Sequence, residues 1–186
     1  MKADIKLSEE NKNILLKLAR HSIGSRFSGS RIVYPEFNSE LNQKCGVFVS
    51  LHIGENLRGC IGYIRSDINL IKIVSDAAIS AAFSDYRFSP LSEQEFDKVS
   101  IEISVLSPFI KIAEIGDIIP GTHGLYISYE SRSGLLLPQV ASKYSWETVI
   151  FLEQTCKKAG LHPDTWKRKN CSIEIFSAII FSENNV

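Results

Sequence analysis

The residues best suited to do chemistry lie close together in Leu57-Arg58-Gly59-Cys60-Ile61-Gly62. Alternation along a strand puts Leu57, Gly59, Ile61 and Tyr63 on one side and Arg58, Cys60 and Gly62 on the other. A guanidinium two residues from a thiol favours the thiolate form, and a glycine beside it is predicted to leave room for a reactant to approach the sulfur. The pattern fits an activated nucleophile or a substrate-anchoring cysteine. The competing reading is a free cysteine packed as a small apolar side chain. Arg58 argues against that second reading, because a buried face hosts arginine only when it is paired.

Other candidates are more scattered. His123 sits in Pro120-Gly121-Thr122-His123-Gly124, a turn that can expose an imidazole as general base or as ion-pair partner to a thiolate. A loop histidine bonded to backbone is the plainer alternative. Glu102 alternates with Ile101 and Ile103, so it faces away from the apolar side; it reads as a solvated acid or as a carboxylate paired with Arg58 or Arg87. Arg87, two residues after Asp85, is placed to cap carbonyls or to clamp an anion. Gln139 follows Pro138 and either presents its amide to a ligand or caps the turn. His21, His52 and His162 read as surface or local hydrogen-bonding residues.

No metal or cofactor motif appears. There is no H-E-x-x-H, no C-x-x-C pair among Cys45, Cys60, Cys156 and Cys171, no EF-hand loop, and neither G-x-G-x-x-G nor a Walker lysine. Lys157, Lys158, Lys167, Arg168 and Lys169 cluster near Tyr144, Trp146 and Trp166, a combination that can stack on nucleic acid or simply form a solvated helix end.

The elements that must position these residues follow from periodicity and caps. Leu7-Ser8-Glu9-Glu10 predicts a staple, an N-cap and two dipole-friendly acids, opening a helix through Ile14, Leu15, Leu18, Ala19 and Ser22 that Gly24 ends. Residues 25–44 read as a long connection. Residues 46–64 predict a β-hairpin turning at Gly54-Glu55-Asn56. Asn69 then caps a helix carrying Leu70, Ile71, Val74, Ala77, Ala78, Ala81 and Ala82, and Ser92-x-x-Glu95 is a capping box. Val99, Ile101, Ile103 and Val105 mark the clearest strand, which Pro108 ends. A strand pair is predicted at 125–129 and 135–137, a helix capped by Ser145 and stopped by Gly160, and a last strand over 172–182.

Strands joined by short turns, with helices between pairs, predict an α+β fold: a mainly antiparallel sheet with flanking helices and a small lobe built from residues 25–44 or from the region near Pro120. The 186 residues suit one domain over 5–183. Lysine plus arginine equals aspartate plus glutamate at 21 each, so formal charge is zero and bulk attraction to nucleic acid or membrane is weak. The start Met1-Lys2-Ala3-Asp4-Ile5-Lys6 lacks an apolar signal core, no run approaches the ~20 apolar residues of a membrane span, and the dispersed cysteines suit a reducing cytoplasm.

Leu57–Gly62 also resembles the signature of the AMMECR domain family, known as AmmeMemoRadiSam system protein A. Phe83–Leu91, Ile101–Leu106, His123-Gly124-Leu125, Gly134–Ala141 and Cys156–Leu161 before Trp166 are similar to further family motifs in the same order. Tyr86 and Ser89 stand where prokaryotic relatives commonly carry proline. The resemblance implies an α+β fold of an antiparallel sheet with helices plus a smaller subdomain, with a cleft between them near Arg58-Gly59-Cys60, and, through the system name, association with Memo-type and radical-SAM proteins; it implies no defined reaction. Three functions follow as expectations. One is an enzyme with Cys60 as nucleophile or anchor, His123 as acid/base, and Arg58, Arg87, Glu102 and Gln139 holding a small anionic substrate. The others are a non-catalytic adaptor and a nucleic-acid-binding module.

Overall fold

Residues 5–36 and 38–183 are described in a computed structural model, so most of the N-terminal stretch read for a signal lies outside the described residues. The chain divides into two compact units, residues 5–106 with 179–183 and residues 107–178. Each has a four-stranded sheet, which gives the α+β class two sheets of equal strand number.

The first unit opens with α1 (Glu9–Ser28), whose N-cap Ser8 accepts a hydrogen bond from the Asn11 N–H at 3.3 Å. The helix passes Gly24 and ends a turn later than the sequence predicts, at Gly29 with φ 68°. A side chain at Gly24 would put its Cβ 3.3 Å from the Phe96 ring, so that glycine serves packing rather than termination. β1 (Gly46–Ile53) and β2 (Asn56–Tyr63) form the predicted hairpin, and β3 (Val99–Leu106) pairs antiparallel on the other side of β1. The sheet order is β2-β1-β3-β8, with β8 spanning Ala178–Ser182, and β2 is therefore an edge.

Val47, Val49, Leu51, Ile101, Ile103 and Val105 are fully buried in one core with Leu70, Ile71, Ala77 and Ala78 of α2 (Leu70–Phe83). The alanine-rich face of α2 brings its backbone against β2. A Cβ on Gly59 would sit 2.2 Å from the carbonyl oxygen of Ala81, so only glycine allows this approach. A short helix, α3 (Glu93–Phe96), follows the capping box at Ser92.

The second unit holds β4 (Ile110–Lys111), β5 (Gly124–Tyr129), β6 (Arg132–Leu136) and β7 (Ser172–Phe176) in the order β4-β7-β5-β6, with α4 (Pro138–Lys143) and α5 (Thr148–Lys158). Four predictions need correction here. The β5–β6 turn is the two residues Glu130-Ser131, with Glu130 at φ 54°, so β6 starts at Arg132 instead of Leu135. Ser145 is not an N-cap: it adopts φ 52° between two helices, and Glu147 occupies the cap of α5. Helix α4, opened by Pro138 at its first turn, has no counterpart in the sequence reading. The last predicted strand is two, broken at Ser177, with β7 in one sheet and β8 in the other. Ser177 donates its N–H to the Ser107 Oγ (2.9 Å) and accepts the Ser107 N–H at its carbonyl (2.9 Å), which uses the backbone groups that continued pairing would have used.

Candidate functional site

Cys60 lies mid-way along the edge strand β2, half-buried, in register with Ser50 on β1, which is in turn in register with Glu102 on β3. These three polar side chains therefore form one row across the sheet face opposite the apolar residues. The Ser50 hydroxyl donates to the Cys60 Sγ at 3.2 Å.

The open edge of β2 is closed by an ion pair. The Cys60 N–H donates to Asp85 Oδ2 at 2.9 Å, and Arg87 Nη2 donates to the Cys60 carbonyl at 3.2 Å. Asp85 and Arg87 are held to each other by Nε to Oδ1 at 2.9 Å and Nη2 to Oδ2 at 2.6 Å. One acceptor and one donor thus meet the strand as a neighbouring strand would, which satisfies backbone groups that an edge otherwise exposes. The turn after α2 builds this arrangement locally: the Phe88 N–H donates to the Asp85 carbonyl (3.0 Å) and the Arg87 N–H to Asp85 Oδ1 (3.2 Å), the aspartate-led turn expected of this residue type. The Asp85 carboxyl is buried. Arg87, and secondarily the amides of Cys60 and Arg87, hold it far below the usual carboxylate range against the opposing effect of burial.

Arg58 is committed in the same way. Its Nε and Nη2 bind Glu95 Oε1 and Oε2, both at 2.9 Å, a bidentate pair. Glu95 also closes the capping box by accepting the N–H and hydroxyl of Ser92, each at 3.0 Å. Arg58 first, then the Ser92 amide, brings the Glu95 carboxyl down to about 2. The Phe88 ring takes both guanidiniums, Arg58 at 5.9 Å and Arg87 at 5.5 Å from its centroid. Two cations and two carboxylates cancel, so the cluster beside Cys60 carries no net formal charge.

These contacts change the expected roles. Glu102 stands in the Cys60 row, but the carboxylates that pair with Arg58 and Arg87 are Glu95 and Asp85. The space expected beside Cys60 at Gly62 is filled by the Phe48 ring, whose Cδ1 would be 2.4 Å from a Cβ there. Arg87 does cap a carbonyl, that of Cys60. Asp85 and Glu95 were missed as site residues. Glu95 was visible as a capping-box residue, whereas its second bond to Arg58 spans 37 positions and has no local signature.

His123 and Gln139 belong to the 107–178 unit and are placed there by a turn and by α4. The His123 Nδ1 accepts the Ile119 N–H at 3.1 Å, while the His123 backbone N–H donates to the Ile119 carbonyl at 2.8 Å. The bond at Nδ1 assigns the proton of the neutral ring to Nε2. Gln139 Oε1 is buried without a hydrogen-bond partner, as is Trp166 Nε1. In the basic cluster, Lys167 binds Asp164 at 2.5 Å and Arg168 binds the Tyr129 hydroxyl at 3.2 Å, so two of the five cations are engaged within the chain. Among the described residues no three His, Cys, Asp or Glu side chains converge as a metal site, and no described helix is long and apolar enough to cross a membrane.

Known proteins are similar to this chain over nearly its whole length. A protein of Sulfolobus acidocaldarius is 42% identical over 92% of this chain and 81% of its own length. One from Caldivirga maquilingensis is 37% identical over 94% and 86%, and one from Aquifex aeolicus 39% over 91% of each. The crystal structure of an uncharacterized protein from Pyrococcus horikoshii superposes with a TM-score of 0.90 at 36% identity, covering 96% of this chain and 94% of that one. The AMMECR1 family matches residues 16–181, and the chain belongs to that family.

Proposed function

We propose that the Cys60–Arg87 edge is a recognition site for a small ligand bearing a carboxylate or phosphate, bound without covalent attack by the thiol. The observation that carries this reading is the state of Arg87. Asp85 and the Cys60 carbonyl fix its Nε and Nη2, its Nη1 is engaged by none of these bonds, and the side chain is 41% exposed. A guanidinium held this way presents a preorganised donor pair beside a half-buried thiol. Nucleophilic use of Cys60 would call for a cation left over to hold a thiolate, and both neighbouring arginines already have carboxylates. Ser50, the hydroxyl bonded to Sγ, is a donor suited to orienting the sulfur rather than deprotonating it.

Titrating inorganic phosphate and citrate while following the Cys60 amide and Arg87 Nε–H signals by NMR tests the reading. Saturable shifts that weaken at least tenfold in Arg87→Lys and persist in Cys60→Ser are expected. A covalent adduct on Cys60 seen by mass spectrometry, with binding abolished in Cys60→Ser, would contradict it.

A second reading, docking of a protein partner, is favoured by one observation. Tyr86, beside Arg87, is 94% exposed, and tyrosine and arginine are the residue types that dominate interface energetics. The family resemblance makes a Memo-type or radical-SAM protein the partner to try. Tyr86→Ala should weaken co-purification with it at least tenfold while leaving phosphate shifts unchanged.

A further inference from the structure

Helix α1 places Ile14, Lys17, Leu18 and His21 on one stripe, at i, i+3, i+4 and i+7. Beyond Gly29 the chain returns along this stripe. The Arg31 carbonyl meets the His21 ring nitrogen Nε2 at 3.4 Å, and Val33 and Pro35 form the opposite wall of a groove of about 410 Å³. The size lies in the range of small-molecule pockets, which are typically about 300–1,000 Å³. Ile14, Leu18, Val33 and Pro35 make it apolar, and Val33 is 72% exposed, so its side chain is open to a ligand. Its charged or titratable lining is Lys17 and His21, and no acidic residue lines it. Lys12 on the same helix binds Glu9 and Arg20 binds Glu183, whereas Lys17 makes no ion pair among the described residues.

We propose that this groove binds a small amphiphilic anion, with an aliphatic tail against Ile14, Leu18, Val33 and Pro35 and a carboxylate at the Lys17 ammonium. An apolar trough with one unpaired cation at its rim is complementary to a single negative head on an apolar tail. It opposes both a neutral hydrocarbon, which leaves Lys17 unused, and a cationic amphiphile.

Calorimetric titration of the whole chain with hexanoate, octanoate and decanoate, below their micelle concentrations, tests the proposal. One site is expected, tightening by up to about fourfold per added methylene as the tail fills the groove. Val33→Asp should weaken decanoate at least tenfold. Lys17→Glu should weaken decanoate and reverse the preference towards decyltrimethylammonium. Both positions are exposed, and unchanged melting of the two variants would separate loss of binding from loss of fold. Equal binding of decanoate and decyltrimethylammonium by the unaltered protein, or unchanged decanoate binding in Val33→Asp or Lys17→Glu, would overturn the proposal. So would sedimentation showing a dimer that Val33→Asp dissolves while decanoate fails to bind, since the groove would then hold a second copy of the chain.

Discussion

The Cys60 edge and the region around Gln139 and Trp166 treat buried polar groups in opposite ways. At the Cys60 edge, the Asp85–Arg87 and Arg58–Glu95 pairs give each other, and the edge backbone, matching donors and acceptors. In the 107–178 unit, Gln139 Oε1 and Trp166 Nε1 are buried with no partner, and among the described residues they are the only buried side-chain nitrogen or oxygen atoms in that state. A satisfied polar network rigidifies its surroundings; an orphaned polar atom is a standing penalty of about 1–3 kcal/mol. The first region is therefore expected to lose stability on almost any change, and the second to gain it from the right one.

The largest loss should come from Gly59→Ala, because the new Cβ meets the main chain of α2 at Ala81, and a helix backbone has no rotamer to yield. Thermal or denaturant unfolding should register about 3 kcal/mol. Gly116→Ala in the other unit is the matching control: nothing lies within 4 Å of its Cβ position, so its stability should be unchanged. If both substitutions cost the same, the close approach of α2 to β2 is not what fixes this edge.

Asp85→Ala comes next. It removes a buried carboxylate and strands both the Cys60 N–H and the Arg87 guanidinium, although Arg87 can turn to water because it is partly exposed. A loss of about 2 kcal/mol is expected, below the full penalty for breaking a wholly buried pair. A loss under 0.5 kcal/mol would show that the pair contributes nothing beyond a surface contact.

Acid should act through the same two carboxyls. Asp85 and Glu95 are both lowered in the folded protein relative to the unfolded chain. Their contribution is complete above about pH 5, where unfolded carboxylates are ionised, and is lost progressively below it, that of Glu95 as pH falls through about 2 and that of Asp85 at still lower pH. Unfolding free energy measured across that window should drop, and the drop should be shallower in Asp85→Ala and Glu95→Gln.

The smallest effect is a gain. Gln139→Leu should stabilise by about 1 kcal/mol, since an apolar side chain of similar size removes the unpaired oxygen. A loss instead would mean that the amide has a partner in solution, which would return Gln139 to the list of binding residues.

Much of the first unit was legible in the sequence because its signals are local. The Ser8 cap, the 46–64 hairpin, the capping box at Ser92 and the alternation of Val99–Val105 each depend on neighbours a few positions away. The second unit was read less well where geometry depends on distant contacts. Gly134 at a β6 position looks like a turn residue, yet it is in the strand because α5 packs on it, with Ala159 N 2.6 Å from its Cβ position. The apolar-rich run 172–182 reads as one strand, and a lone serine at 177 does not announce the switch between sheets. In the candidate site, strand alternation holds from Gly59 to Tyr63, but the register slips between Leu51 and His52, so Arg58 is left without a cross-strand partner and Leu57 pairs with His52, on the face opposite to the expected one. The carboxylates that neutralise the arginines come from the turn after α2 and from α3, and no spacing rule links those to β2.

Amide hydrogen exchange at Cys60 probes the ion pair on the strand edge without needing any ligand. If Asp85 and Arg87 take the place of a neighbouring strand, this edge amide exchanges slowly in the unaltered protein and roughly 10- to 100-fold faster in Asp85→Ala, measured where global stability is not limiting. Rapid exchange in the unaltered protein, or protection that survives the loss of Asp85, would contradict the account.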